Sequence, residues 1–161
     1  MCNKINIRPI ELRDLEFVKE VLNEVITNHD FYLSEYPKSD GDIRQWYDEH
    51  QNSDLYAIFI AEVDGTAAGW VSLSNFRSID GYDISAELSV YVSDCYYRMG
   101  VASAMMKYIE WEDQVCIQIE DALEISRSDA QAIMEANDTL LSAQWAAKSD
   151  PLDAAHTILA I

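Results

Sequence analysis

The stretch CYYRMGVASAMMKYIEWEDQ, residues 95–114, puts Gly100 and the small residues Ala102 and Ser103 between a short polar turn and an apolar helical run. That order suits anion binding. Glycine lets a backbone approach a pyrophosphate, and the first amides of a helix point at the anion along the helix dipole. The same small residues would equally let a helix start pack closely on a strand. Other chemistry-bearing residues are sparse. Cys2, Cys95 and Cys116 form neither a CxxC nor a metal-ligand cluster and read as free thiols. His29, His50 and His156 are far apart and lack ligand spacing, so no metal is expected and the histidines are expected in surface or loop positions.

The elements that must position the 95–114 stretch can be read from periodicity. INIRPIE (5–11) alternates as a short strand, and Leu15, Val18, Leu22 and Val25 make one helical stripe. SDGDIRQWYDEHQ opens with Ser39 and Asp40 as N-cap candidates and places Ile43, Trp46 and Tyr47 on one face. LYAIFIAEV and AAGWVSLSN flank Asp64-Gly65-Thr66, which predicts a β-hairpin. A further strand is predicted over 82–93 and a helix over Gly100–Trp111. The order β-α-α-β-β-β-α describes an α/β (α+β) protein with a mostly antiparallel sheet flanked by helices.

Beyond residue 113 the pattern is divided. Val115, Ile117 and Ile119 alternate like a strand, while Val115, Ile119 and Leu123 continue the helical stripe from Tyr108. Ser128 with Gln131 suggests a capping box, and Asp150-Pro151 suggests an N-cap followed by proline at the first helical position. The expected organisation is a body over 1–113 and a mainly helical extension over 114–161, a helical hairpin.

Composition narrows the partners. In 161 residues, 49% hydrophobic, there is material for one well-buried core. No segment reads as a membrane span or signal peptide, so a cytoplasmic protein is expected. The net charge of −18 repels phosphate backbones and anionic lipid and attracts cations. Direct nucleic-acid and membrane partners are therefore not expected, and basic molecules are.

INIRPIELRDLEFVKEVLNEVI, AIFIAEVDGTAAGWVSLSNFR and AELSVYVSDCYYRMGVASAMM together resemble the GNAT superfamily of acyl-CoA N-acyltransferases, and in it the phosphinothricin acetyltransferase-like branch, over about residues 5–112. The family's phosphate motif [RQ]-x-x-G-x-[GA] falls on Tyr97, Arg98, Met99, Gly100, Val101 and Ala102, with tyrosine in place of the leading Arg or Gln. The resemblance implies acetyl-CoA as co-substrate on the 97–103 loop, Ser103 included. It also implies that the strand holding Val90, Tyr91 and Val92 offers backbone groups to the pantetheine arm. Glu87 matches the family's general base, a role that exists because an amine arrives as ammonium and has no lone pair until deprotonated. Phe31 and Tyr36 fall where similar enzymes line the acceptor pocket. The usual tyrosine acid is missing, since no tyrosine follows Tyr108. The usual closing strands are also missing, replaced by the helical extension. The edge beside strand 84–92 then needs cover from that extension or from a second subunit, as in a homodimer.

Two functions follow. One is an N-acetyltransferase acting on a primary amine of a small molecule or a basic protein. The other is a catalytically degenerate, acidic binding or inhibitor protein that acts through protein contacts.

Overall fold

The computed structural model describes residues 4–28, 36–51, 57–75 and 86–160. The chain divides into two compact units, Met1–Met105 and Met106–Ile161.

In the first unit β1 (Ile5–Pro9), β2 (Ile58–Val63), β3 (Thr66–Asn75) and β4 (Ala86–Val92) form one sheet in that order, each pair antiparallel. The Asp-Gly signal is realised as a two-residue hairpin loop. Asp64 and Gly65 both have positive φ, 51° and 84°, and Val63 pairs with Thr66, as a primed turn requires. The β2–β3 register slips between Ala61 and Glu62: Ala61 faces Gly69 while Glu62 faces Ala67, so Ala68 is the extra residue of a bulge.

Helices α1 (Leu15–Asn28) and α2 (Asp40–Gln51) supply the apolar cover. Val18, Val21, Leu22 and Ile43 pack with Ile10, Ile58, Ile60 and Trp70 in one buried cluster, with Leu15, Trp46 and Tyr47 at its margin. The cap of α2 is reciprocal: the Asp42 amide donates to Ser39 Oγ, and the Ser39 amide donates to the Asp42 carboxylate. Asp42 therefore sits below the usual carboxylate range. At the start of the chain Arg8 grips buried Asp14 through two hydrogen bonds, 2.7 and 2.8 Å, and reaches Glu62 at 2.8 Å. Burial alone would raise the Asp14 pKa, but Arg8 and the Glu11 amide bring it below the ordinary value.

Helix α3 runs from Val101 to Leu123, well past the expected end at Trp111. The divided pattern after residue 113 resolves as helix. Tyr108, Trp111, Val115, Cys116 and Ile119 are buried, whereas Ile117, which a strand would align with Val115 and Ile119, is 38% exposed. The second unit continues with α4 (Arg127–Ala136), α5 (Asp138–Ala146) and α6 (Pro151–Leu159). Within it Trp145 meets Tyr108 edge-on at 5.2 Å and Trp111 at 5.5 Å, and the Trp111 indole donates to Ser149 O.

Ser126, not Ser128, caps α4, accepting from the Asp129 amide. The expected hairpin is in fact three helices, because the chain turns at Asn137, whose side chain donates back to Ile133 O. Asp150 caps α6 with Pro151 in the first turn, as the sequence implied. No helix among the described residues is long and apolar enough to cross a membrane.

Candidate functional site

The 95–114 stretch folds into two consecutive conformational devices. Tyr97 (φ −59°, ψ 141°) and Arg98 (φ 63°) are the central residues of a type II turn closed by the Met99 amide donating to Tyr96 O at 3.3 Å. Gly100 follows at φ 85°, a value L side chains rarely adopt. A Cβ built there would meet nothing within 4 Å. The glycine is therefore needed for its backbone shape and leaves open space beside it, and internal packing does not require it.

The first backbone bond of α3 runs from the Ala104 amide to Gly100 O at 3.0 Å. The amides of Val101, Ala102 and Ser103 precede that ladder, so they form the positive end of the helix.

Strand β4 supplies the second half of the site. The Ser93 amide donates to Ala68 O at 2.9 Å. With Gly69 facing Val92, Trp70 facing Tyr91 and Ser72 facing Ser89, the alternation of antiparallel pairs turns the N–H and C=O groups of Tyr91, Ser89 and Glu87 toward β3. Those of Leu88, Val90 and Val92 face the other way, along an edge that no other described strand pairs. Gly69 lets this arrangement close. A Cβ there would lie 2.6 Å from Tyr91 O and 3.3 Å from Val92 Cα.

The edge and the helix end meet in one cavity of about 350 Å³, lined by Val25, Val90, Tyr91, Val92, Tyr96, Tyr97, Arg98, Gly100, Val101, Ala102 and Ser103. Nine of the ten residues that the sequence reading assigned to acyl-CoA are on these walls. Met99 is off them and 37% exposed. Val25 and Tyr96 were missed. Val25 belongs to the apolar stripe of α1 and carries no signal that separates a cavity wall from ordinary core. Arg98 is the cation of this wall. Tyr97, at the motif's first position, hydrogen-bonds the Asp94 carboxylate, which pushes the phenol pKa up.

Glu87 is exposed on β4, directly across from Ser74. Tyr36 is 75% exposed and absent from the cavity wall, and Phe31 lies outside the described residues. The expectation that the histidines are surface or loop residues fails for His50, which is 6% exposed on α2. Its Nδ1 lies 2.7 Å from Trp46 O and its Nε2 2.8 Å from Ser74 Oγ. A carbonyl only accepts, so in the neutral ring Nδ1–H donates to Trp46 O and Nε2 accepts from the Ser74 hydroxyl. The α2 periodicity placed His50 four residues after Trp46, which was the available signal. Cys95 and Cys116 are free thiols, and Cys2 lies outside the described residues. Among the described residues no group of three or more His, Cys, Asp or Glu is placed to hold a metal.

The model of the acetyltransferase (GNAT) family matches residues 23–133. A Bacillus subtilis protein assigned provisionally as a phosphinothricin acetyltransferase, YwnH, is 28% identical over 104 residues, 64% of this chain and 63% of its own length. The phosphinothricin N-acetyltransferase of Streptomyces viridochromogenes is 26% identical over 106 residues, 65% of this chain and 56% of that protein. The match thus spans less than two thirds of either relative. Among solved structures, a GNAT superfamily phosphinothricin acetyltransferase from Sinorhizobium meliloti, in complex with AcCoA, superposes with a TM-score of 0.60 at 22% identity, covering 66% of this chain and 57% of that one. With residues 23–133 inside the family match, this chain belongs to the acetyltransferase (GNAT) family.

Proposed function

We propose that the protein is an N-acetyltransferase that binds acetyl-CoA in the 350 Å³ cavity and acetylates a primary amine. The observation that carries this reading is the meeting, in one cavity, of the α3 amide end and the edge of β4 that no other described strand pairs. A CoA ester needs both. Its pyrophosphate suits the amides of Val101, Ala102 and Ser103 with Arg98 beside them. The amide-bearing pantetheine arm suits the outward N–H and C=O groups of Val90 and Val92, which it would extend as a strand does. The open space at Gly100 keeps the approach to the backbone free.

Acetyl-CoA supplies an activated acyl thioester. The chain's own residues orient it and move a proton. Glu87 takes the proton from the incoming ammonium, directly or through water, so that nitrogen gains its lone pair. An outward-facing amide of β4, from Leu88 or Val90, is available to receive negative charge developing on the acyl oxygen. Tyr108 is buried in α3, and no tyrosine follows it; the departing thiolate takes its proton from water. The charge of −18 favours delivery of cationic acceptors.

Isothermal titration with acetyl-CoA and with CoA, followed by a thiol-release assay on a panel of primary amines, tests the reading. The expected results are micromolar binding, amine-dependent thiol release, and a fall in kcat of at least about a hundredfold in Glu87→Gln. Binding of neither CoA species would refute the reading and leave the protein-binding scaffold as the alternative.

A further inference from the structure

The buried ring of His50 has a partner that acetyl transfer does not use. Its Nε2 accepts from the Ser74 hydroxyl at 2.8 Å while Nδ1–H donates to Trp46 O at 2.7 Å. The ring also lies against the Trp46 indole, 4.8 Å between centroids. These are the parts that activate a hydroxyl: a nucleophile hydrogen-bonded to a base, and the base held in one tautomer by a third group. His50 and Ser74 are 24 residues apart and meet only where α2 lies against β3.

Ser74 also has open space beside it. It is half-buried and lines a cavity of about 200 Å³, to which Trp46, Trp70 and Tyr91 give an apolar body. A serine that did no more than satisfy a buried imidazole would need no such access. Lys38 and Asp42 line the cavity as well. The Asp42 carboxylate is taken up by the Ser39 amide and hydroxyl, 2.7 Å each, so Lys38 supplies the charge that favours an oxyanion. Glu87 faces Ser74 across the β3–β4 pair, with Cβ atoms about 5.5 Å apart in such a pair. Its negative charge favours the imidazolium that forms when His50 takes a proton.

We propose that Ser74 and His50 form a catalytic dyad, nucleophile and base, for the hydrolysis of small uncharged acyl esters. The cavity volume limits the substrate to a small one, and the aromatic walls suit an apolar body. Glu87 and the net charge of −18 disfavour an anion. Ser74 Oγ bonds the acyl carbon as its proton moves to His50 Nε2. The carbon–oxygen bond to the leaving group breaks, and the leaving oxygen takes that proton from His50. Water then attacks the acyl-serine and gives a proton to His50, which returns it to Ser74 Oγ as the carboxylic acid departs.

A fluorophosphonate and p-nitrophenyl acetate test this without CoA, so the outcome is independent of the acetyl-transfer reading. The fluorophosphonate phosphorus bonds a serine oxygen as fluoride leaves and the serine proton passes to the base. Peptide mapping of the wild-type protein should find the label on Ser74 and not on Ser89, which is also half-buried and lines the same cavity. p-Nitrophenyl acetate should give a burst of p-nitrophenol and an acetyl group on Ser74, and the burst should vanish in Ser74→Ala. In His50→Gln, which keeps a hydrogen-bonding side chain, labelling of Ser74 should slow by at least about a hundredfold. No label on Ser74, equal label on Ser89, a burst that survives Ser74→Ala, or an unchanged labelling rate in His50→Gln overturns the proposal. The comparison of Ser74 with Ser89 is made within the wild-type protein, so it decides even where a variant fails to fold.

Discussion

Gly100 and Gly65 form a matched pair that separates backbone strain from ligand exclusion. Gly100 has φ 85° and Gly65 φ 84°, and a Cβ added at either meets nothing within 4 Å. Alanine at each position thus carries the same internal cost, the left-handed penalty of about 1–2 kcal/mol. For a chain of this size that lowers the unfolding midpoint by roughly 3–6 °C. Their surroundings differ. Gly65 is in the β2–β3 hairpin loop, and Gly100 is on the wall of the 350 Å³ cavity. A methyl group at Gly100 stands where a pyrophosphate would approach the amides of α3, and should weaken CoA binding by at least about tenfold, equivalent to 1.4 kcal/mol. Gly65→Ala should leave binding within about twofold. Thermal melts and CoA titrations of both variants check this. Equal binding in the two would refute the cradle, and a much larger melting loss in Gly100→Ala would refute the finding that its surroundings are open.

Gly69→Ala should destabilise by about 1–3 kcal/mol, because its methyl would lie 2.6 Å from Tyr91 O, and denaturant melts should show it as a lower midpoint at unchanged slope. Arg98→Gly removes a side chain from φ 63° and should raise the melting point by a few degrees, while weakening CoA binding most at low salt, since Arg98 is the cation of the cavity wall. In the second unit burial, then the neighbouring charges of Asp113 and Glu135, push the Glu112 pKa from 4.5 up to about 7 against the pull of Arg127. Between those values the folded state holds a proton that the unfolded state has released, so stability falls as pH rises from about 4.5 to 7 and then levels. Glu112→Gln should flatten that fall, measured by urea melts across the range.

What the sequence determined was local. Alternation placed β1 to β3, the Asp64-Gly65 dipeptide required a primed hairpin turn, and Asp150-Pro151 set the start of α6, because each depends on neighbours in the chain and on backbone geometry that one or two residues dictate. Gly100 and the small residues after it marked a cradle candidate for the same reason. Tertiary structure decided the rest. Residues 114–121 alternate well enough for a strand, and only the burial of Val115, Cys116 and Ile119 together, with Ile117 left exposed, shows a helix. His50 looks like a surface residue until α2 is laid against Ser74. Val25 reads as core until its helix forms one wall of a cavity. The edge of β4 that no other described strand pairs has no sequence signature, because which edge stays open is a property of how strands and helices assemble, not of any one of them.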